Sequence, residues 1–171
     1  MAEYVQKRRA GVRVALAGRE PMEGVLMLAA QAPLHPGPET ILERLNTPDR
    51  VVPFQRRHDG ATALLNRSEI EWVLAGQGVS PELVFPPTYL VTREERVVVA
   101  FRSGAEVQGL IRMELPPHLN RASDFLNGAE DWFPLVTDDG VVLINKLQVV
   151  ETRLFESSPL PIGSDGEDDA I

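Results

Sequence analysis

The chain carries one pattern twice, and this constrains its fold more than any other feature. From Tyr4-Val5-x-Lys7-Arg8 and from Tyr89-Leu90-x-Thr92-Arg93, two stretches run in one register for about two dozen residues. Val12, Val14 and Ala15 recur as Val97, Val99 and Ala100, while Leu16 becomes Phe101. Gly24-Val25-Leu26-x-Leu28 returns as Gly109-Leu110-Ile111-x-Met113. The first stretch then has four extra residues between Ala32 and Glu39. Beyond them Leu45-Asn46 matches Leu126-Asn127, Pro53-Phe54 matches Pro134-Leu135, and Asp59-Gly60 matches Asp139-Gly140. Leu64-Leu65-Asn66-Arg67 matches Leu143-Ile144-Asn145-Lys146, with Ile70 and Val149 following at the same spacing. Length changes fall where loops are expected, and the shared residues fall on apolar positions and turns. The organisation predicted is repeat one over 3–74, a linker over 75–87 stiffened by Pro86-Pro87, repeat two over 88–155, and a tail over 156–171.

Each repeat predicts the order β-β-α-β-β-β. Arg96 to Arg102 is rich in β-branched and aromatic residues, Ser103-Gly104 breaks it, and Glu106 to Glu114 resumes as an alternating partner strand. Gly24 and Gly109 lie inside that second strand, where glycine marks a bulge or a close backbone approach. Arg121 to Gly128 predicts one or two helical turns, with Pro38 to Asn46 as the counterpart. Trp132 to Val136 and Val141 to Asn145 flank an Asp-Gly turn and read as a hairpin, with Leu147 to Leu154 as a fifth strand. The fold class is therefore mainly β (α+β): two tandem copies of a small antiparallel sheet or partial barrel, each with one short helix. A copy of roughly 70 residues buries only about 60% of its unfolded surface. We therefore expect the copies to pack with an approximate internal two-fold, to be unstable apart, and to fill their seam or cores with Trp72, Phe85, Tyr89, Trp132 and Phe133.

Composition removes several classes of function. With no Cys, the chain has no disulfide framework, thiol nucleophile, Cys-based zinc site or iron–sulfur cluster. Its apolar runs are far shorter than the roughly 20 residues of a membrane-spanning helix, so no membrane partner is expected. The opening residues lack the apolar core of a secretory signal, which makes the cytoplasm the expected location. Of the net charge of −8, the tail supplies −5 through Glu156, Asp165, Glu167, Asp168 and Asp169, with no Lys or Arg. That tail reads as disordered, serving solubility or docking. Residues 1–74 balance ten Lys/Arg against nine Asp/Glu, and the basic clusters are only Lys7-Arg8-Arg9 and Arg56-Arg57. Nucleic acid is thus not an expected partner.

Residues able to do chemistry are sparse. His35 and His118 occupy similar proline-flanked loops and read as exposed, and His58 precedes a hairpin turn whose counterpart, Asp138-Asp139-Gly140, lacks a histidine. Glu130-Asp131 and Asp138-Asp139 are the densest carboxylates, without the spacing of a calcium loop. Ser68, Ser103 and Ser123 lie in no nucleophile motif, and the glycine runs at 18–24 and 76–78 lack a phosphate-loop Lys-Ser/Thr. Catalytic residues, cofactor and metal are all expected to be absent. Asn46 and Asn127 are expected to cap their helices or the loops that follow. Asn66-Arg67 and Asn145-Lys146 set sheet register or offer a polar edge, and antiparallel edges are templates for strand addition.

The run Arg121-x-Ser123-Asp124-Phe125-Leu126-Asn127, with Phe133-x-Leu135 and Asn145-Lys146-x-x-Val149, resembles a short bacterial domain of unknown function bearing an R-x-S-D-x-L-N motif. The resemblance covers repeat two. Repeat one departs from it, with Thr40 and Leu42 at the places of Arg121 and Ser123, and the family implies no activity. The strand count is also similar to Sm-like and SH3-like small barrels, a likeness of architecture that identifies no function. The function expected is a non-enzymatic interaction or assembly subunit, with an unidentified protein partner or self-association. The alternatives are a regulatory module binding a small molecule between the repeats, and a weak RNA or DNA binder. The candidate interaction surface comprises Lys7, Arg8, Arg9, Arg56, Arg57, Asn66, Arg67, Asn145 and Lys146.

Overall fold

The structure is a computed structural model describing residues 7–76, 78–119 and 121–155. The expected repeat start at Glu3 and the tail over 156–171 lie outside the described residues, as does Gln77 of the linker.

Alternation with period two builds the first strands. In β1 (Lys7–Leu16) Ala10, Val12 and Val14 are buried while Gly11 and Arg13 face outward, and in β2 (Met22–Ala29) Gly24, Leu26 and Leu28 are the buried set. After α1 (Ile41–Asn46) follow β3 (Val51–Arg56), β4 (Thr62–Asn66) and β5 (Ile70–Gly76). The second half contributes β6 (Arg93–Phe101), β7 (Glu106–Met113), α2 (Ala122–Leu126), β8 (Trp132–Thr137), β9 (Gly140–Asn145) and β10 (Val149–Leu154). All ten strands belong to one antiparallel sheet in the order β10-β6-β7-β8-β9-β5-β1-β2-β3-β4.

Within each half the fifth strand lies beside the first, and the rest follow in sequence. The registers coincide as well. Val12 pairs with Gly24 as Val97 pairs with Gly109, Leu26 with Phe54 as Ile111 with Leu135, and Phe54 with Ala63 as Leu135 with Val142. Both halves skip one residue of the outer strand, Glu71 against Ala15-Leu16 and Val150 against Ala100-Phe101. Gly24 and Gly109 are sites of close approach rather than bulges: a Cβ would overlap the Gln55 carbonyl at the first and the Val136 carbonyl at the second.

Two features differ from the reading of the sequence. The halves are not separate sheets packed together; hydrogen bonds between β5 and β9 make one sheet of them. Nor does the strand order express a two-fold. Such an axis would pair β10 with β4 wherever it paired β5 with β9, and those two strands instead end the sheet on opposite sides. The expected linker is partly structural: β5 runs through Gly76, Val84 is buried in the first core, and Val79, Leu83 and Phe85 pack against it.

The halves exchange side chains across the junction. Trp132 and Leu143 of the second half are buried in the first core, while Trp72 and Leu74 of the first half pack against the second. Strand β9 is covered on both faces, which accounts for its unbroken run Val141-Val142-Leu143-Ile144.

Candidate interaction edges and inter-half cleft

The junction shows what these edges can hold. Trp72 lies opposite Ile144, Val73 opposite Leu143, Leu74 opposite Val142, Ala75 opposite Val141, and Gly76 opposite Gly140. Asn145 is buried; its Nδ2 donates to the Ile70 carbonyl at 2.9 Å and its Oδ1 accepts from the Leu147 amide at 3.0 Å. Gln148 Nε2 adds a bond to the Ser68 carbonyl at 2.7 Å. At the same end of the junction, Asn46 grips the backbone of Trp132, the register partner of Asn145, accepting from its amide at 3.0 Å and donating to its carbonyl at 3.5 Å. The recurring Leu-Asn pair is thus not a helix cap in the first half but a clasp between halves. A sequence lists no partner 86 positions away, so local spacing could not reveal it.

The two strands that end the sheet are built from the same pattern and lack that cover. On β4, Thr62, Leu64 and Asn66 are exposed, and on β10, Val150, Glu151, Arg153 and Leu154 are. Beside β10 runs an open groove of about 370 Å³, walled by Leu126 and Asn127 of α2, by Phe133 and Lys146, and by Val149, Val150 and Thr152. In the first half the corresponding residues Leu45, Ile70 and Val73 are buried, in one core cluster with Leu42 and with Trp132 and Leu143 of the second half.

The nine residues predicted from the sequence fall into separate places. Lys7, Arg8 and Arg9 are exposed at the start of β1, and Arg9 donates to Gln55 Oε1 at 2.8 Å. Arg56 pairs with Asp59 at 2.7 Å and Arg57 with Glu23 at 3.3 Å, so both guanidiniums face internal carboxylates. Arg13 first and Arg57 second hold the Glu23 carboxyl below its ordinary range. Asn145 is brought against the Arg67 carbonyl, at 3.4 Å, whereas Asn66 stays on the outer edge. Arg67 donates to the Leu45 carbonyl at 2.9 Å, and Lys146 Nζ to the Gly128 carbonyl at 3.3 Å while lying 5.7 Å from the Phe125 ring centre. Each Asn-Arg/Lys pair therefore contributes a cation to the C-terminal end of its own half's helix, where carbonyls lack helical partners. Burial lowers the Lys146 pKa, opposed by Asp131 and Glu130.

A cleft of about 430 Å³ opens between the halves. Its apolar walls include Leu42, Tyr89, Leu115, Leu119, Phe125 and Trp132, and its rim carries Glu43, Glu114, Asp124, Glu130 and Lys146. Several of the carboxylates are engaged: Glu43 by Thr40, Glu114 by the Leu90 amide and Asp124 by the Arg121 amide. The Tyr89 hydroxyl donates to the Arg112 carbonyl at 2.6 Å, and burial first, with the Glu114 charge second, raises its pKa.

His35 is not the exposed loop histidine expected. Its Nε2 lies 2.7 Å from Glu43 Oε1 and Nδ1 lies 2.8 Å from the Pro36 carbonyl, with the side chain almost wholly covered. His58 and His118 are exposed. Among the described residues no three metal-ligating side chains converge, and no helix is long and apolar enough to cross a membrane. No family model matches the chain, and neither a curated protein nor a solved structure shows significant similarity to it.

Proposed function

We propose that this chain is a non-enzymatic assembly subunit, made of two duplicated five-strand modules, that works by offering sheet edges to a protein partner. The coincident strand orders and registers of the two halves support the duplication. One observation carries the assembly reading: β4 and β10 end the sheet with apolar side chains exposed at the positions that are covered where β9 meets β5. Unpaired N–H and C=O groups along such strands recruit a further strand unless charge, proline or a covering element blocks them. Thr62 to Asn66 contains neither charge nor proline. Purification of the tagged full chain from its native cells is expected to yield a stoichiometric companion, another protein or further copies of itself. Recovery of the chain alone, with amides of β4 and β10 exchanging freely with solvent, would end this reading.

A second reading is supported by the cleft. Its apolar walls and acidic rim suit a small apolar cation, bound between the halves as a regulatory signal. A thermal-shift screen with arylalkylamines, which are protonated at neutral pH, is expected to raise the melting temperature. No shift with any such amine at millimolar concentration sinks the idea.

A further inference from the structure

The two ends of the sheet are unlike, and each is the counterpart of a strand in the internal junction: β4 of β9, and β10 of β5. We infer that copies of this chain join head to tail, with β4 of one laid against β10 of the next, repeating between molecules the contact that β9 and β5 make within one. This rests on the assembly reading and names its partner as a second copy.

Four observations converge on this pairing. The first is exposure. Leu143 is 0% exposed under β5, and its counterpart Leu64 is 66% exposed. Ala75 and Glu71 are 2% and 3% exposed beside β9, whereas their counterparts Leu154 and Val150 are 51% and 62% exposed. The second is shape. Leu45, Ile70 and Val73 are buried in one cluster with Trp132 and Leu143, whereas their counterparts Leu126, Val149 and Thr152 line the open groove beside β10. The counterparts of Trp132 and Leu143, Val51 and Leu64, are exposed at the other end of the sheet.

The third observation is polar. Asn46 clasps the Trp132 backbone, while its counterpart Asn127 is exposed and its side chain makes no hydrogen bond among the described residues. Asn145 donates across the junction to Ile70, while its counterpart Asn66 is exposed on β4 with no capping bond. In the inferred contact Asn127 would clasp Val51 of the neighbour, and Asn66 would reach the Val149 carbonyl. The fourth is charge. Carrying over the internal register sets Thr152 opposite Leu64 and Leu154 opposite Thr62; β4 is uncharged, and on β10 Arg153 is shared between Glu151 at 2.8 Å and Glu106 of β7 at 2.5 Å, so no cation of β10 is left to face β4. One internal bond does not carry over, because Glu69 stands where Gln148 donates to Ser68. The contact between molecules is therefore weaker than the one within.

Because the joined edges differ, the contact is heterologous and generates a ring or a filament, not an isologous dimer. Light scattering on the full chain tests this with two exposed-site variants, Leu64→Asp and Val150→Asp, each first shown to be folded by circular dichroism. The wild type is expected to exceed the chain mass of 18.9 kDa as concentration rises. Either variant alone is expected to stay at that mass. An equimolar mixture is expected to reach twice the mass and no more, since one intact β4 edge then meets one intact β10 edge. Wild-type chain at monomer mass at its highest soluble concentration overturns the inference, as does assembly of either variant by itself. If the monomeric chain instead holds a different protein, and Val150→Asp releases it, the inference fails while the assembly reading survives.

Discussion

Strands β9 and β4 begin from nearly the same sequence, Val142-Leu143-Ile144-Asn145 and Ala63-Leu64-Leu65-Asn66, and end in opposite surroundings. Each pairs with its hairpin partner in the same register. Only β9 has a second neighbour, and only its leucine is inserted into another half's core. Local sequence thus decides that a strand forms, while its energetic weight comes from what covers it. The sharpest way to break the comparison is to truncate both leucines. Leu143→Ala empties a packed site and is expected to cost about 2–5 kcal/mol in urea unfolding. Leu64→Ala, measured in dilute solution, is expected to stay within about 0.5 kcal/mol of wild type. Equal losses would mean that β9 gains nothing from β5.

The glycines probe what the halves share. At Gly24 a methyl group meets the Gln55 carbonyl and the Phe54 ring, and at Gly109 the Val136 carbonyl and Leu135. Backbone oxygen cannot swing aside as a side chain can. Gly24→Ala and Gly109→Ala should therefore each destabilise the fold by about 1–3 kcal/mol. A large loss at one and none at the other would show that the second and third strands approach differently in the two halves.

The asparagines sharpen the contrast between filled and empty positions. Asn145→Ala leaves the Ile70 carbonyl and the Leu147 amide without side-chain partners inside the junction, an expected loss of about 1–3 kcal/mol by the same unfolding measurement. Asn66→Ala removes an exposed side chain and should leave the stability of the isolated chain unchanged. An appreciable loss at Asn66 would indicate that β4 is already covered under the conditions used.

Much of the fold was legible because the repeated apolar positions and the turn residues are local signals. The hairpins, both helices and the close approach at Gly24 and Gly109 all follow from spacings of a few residues. What joins the halves was not legible. The pairing of β5 with β9, and the grip of Asn46 on Trp132, span separations that no local period encodes. One signal did exist: Val141 to Ile144 is apolar at every position, which a strand covered on one face does not need. Thr62-Ala63-Leu64-Leu65 in the same place is less uniformly so, and the difference between the two runs marks which edge is buried. The basic clusters were visible, and Asp59 lies only three positions from Arg56, but the carboxylate facing Arg57 was not legible, because Glu23 reaches Arg57 only once β2 and β3 are paired.

The smallest expected effect separates the two helices by pH. Helix α1 starts at a buried Thr40 whose hydroxyl accepts from the Glu43 amide, while Glu43 accepts from the Thr40 amide and approaches His35 at 2.7 Å. Helix α2 has only Asp124 accepting from the Arg121 amide, and His118 is exposed. The Glu43 hydrogen bond first, and the Pro36 carbonyl second, raise the His35 pKa above 6.5. A raised folded-state value means that the native chain binds the proton more tightly than the unfolded chain. The stabilisation is therefore complete below pH 6.5 and is lost as pH climbs through the higher folded value. Thermal melts carried upward from about pH 6 should show a modest decline in wild type once the pH passes 6.5, because the unfolded chain then releases a proton that the folded chain still holds. His35→Gln should flatten that decline, and His118→Gln should preserve it. If both variants keep the wild-type slope, His35 contributes no proton linkage, and the capping box of α1 stands on Thr40 and Glu43 alone.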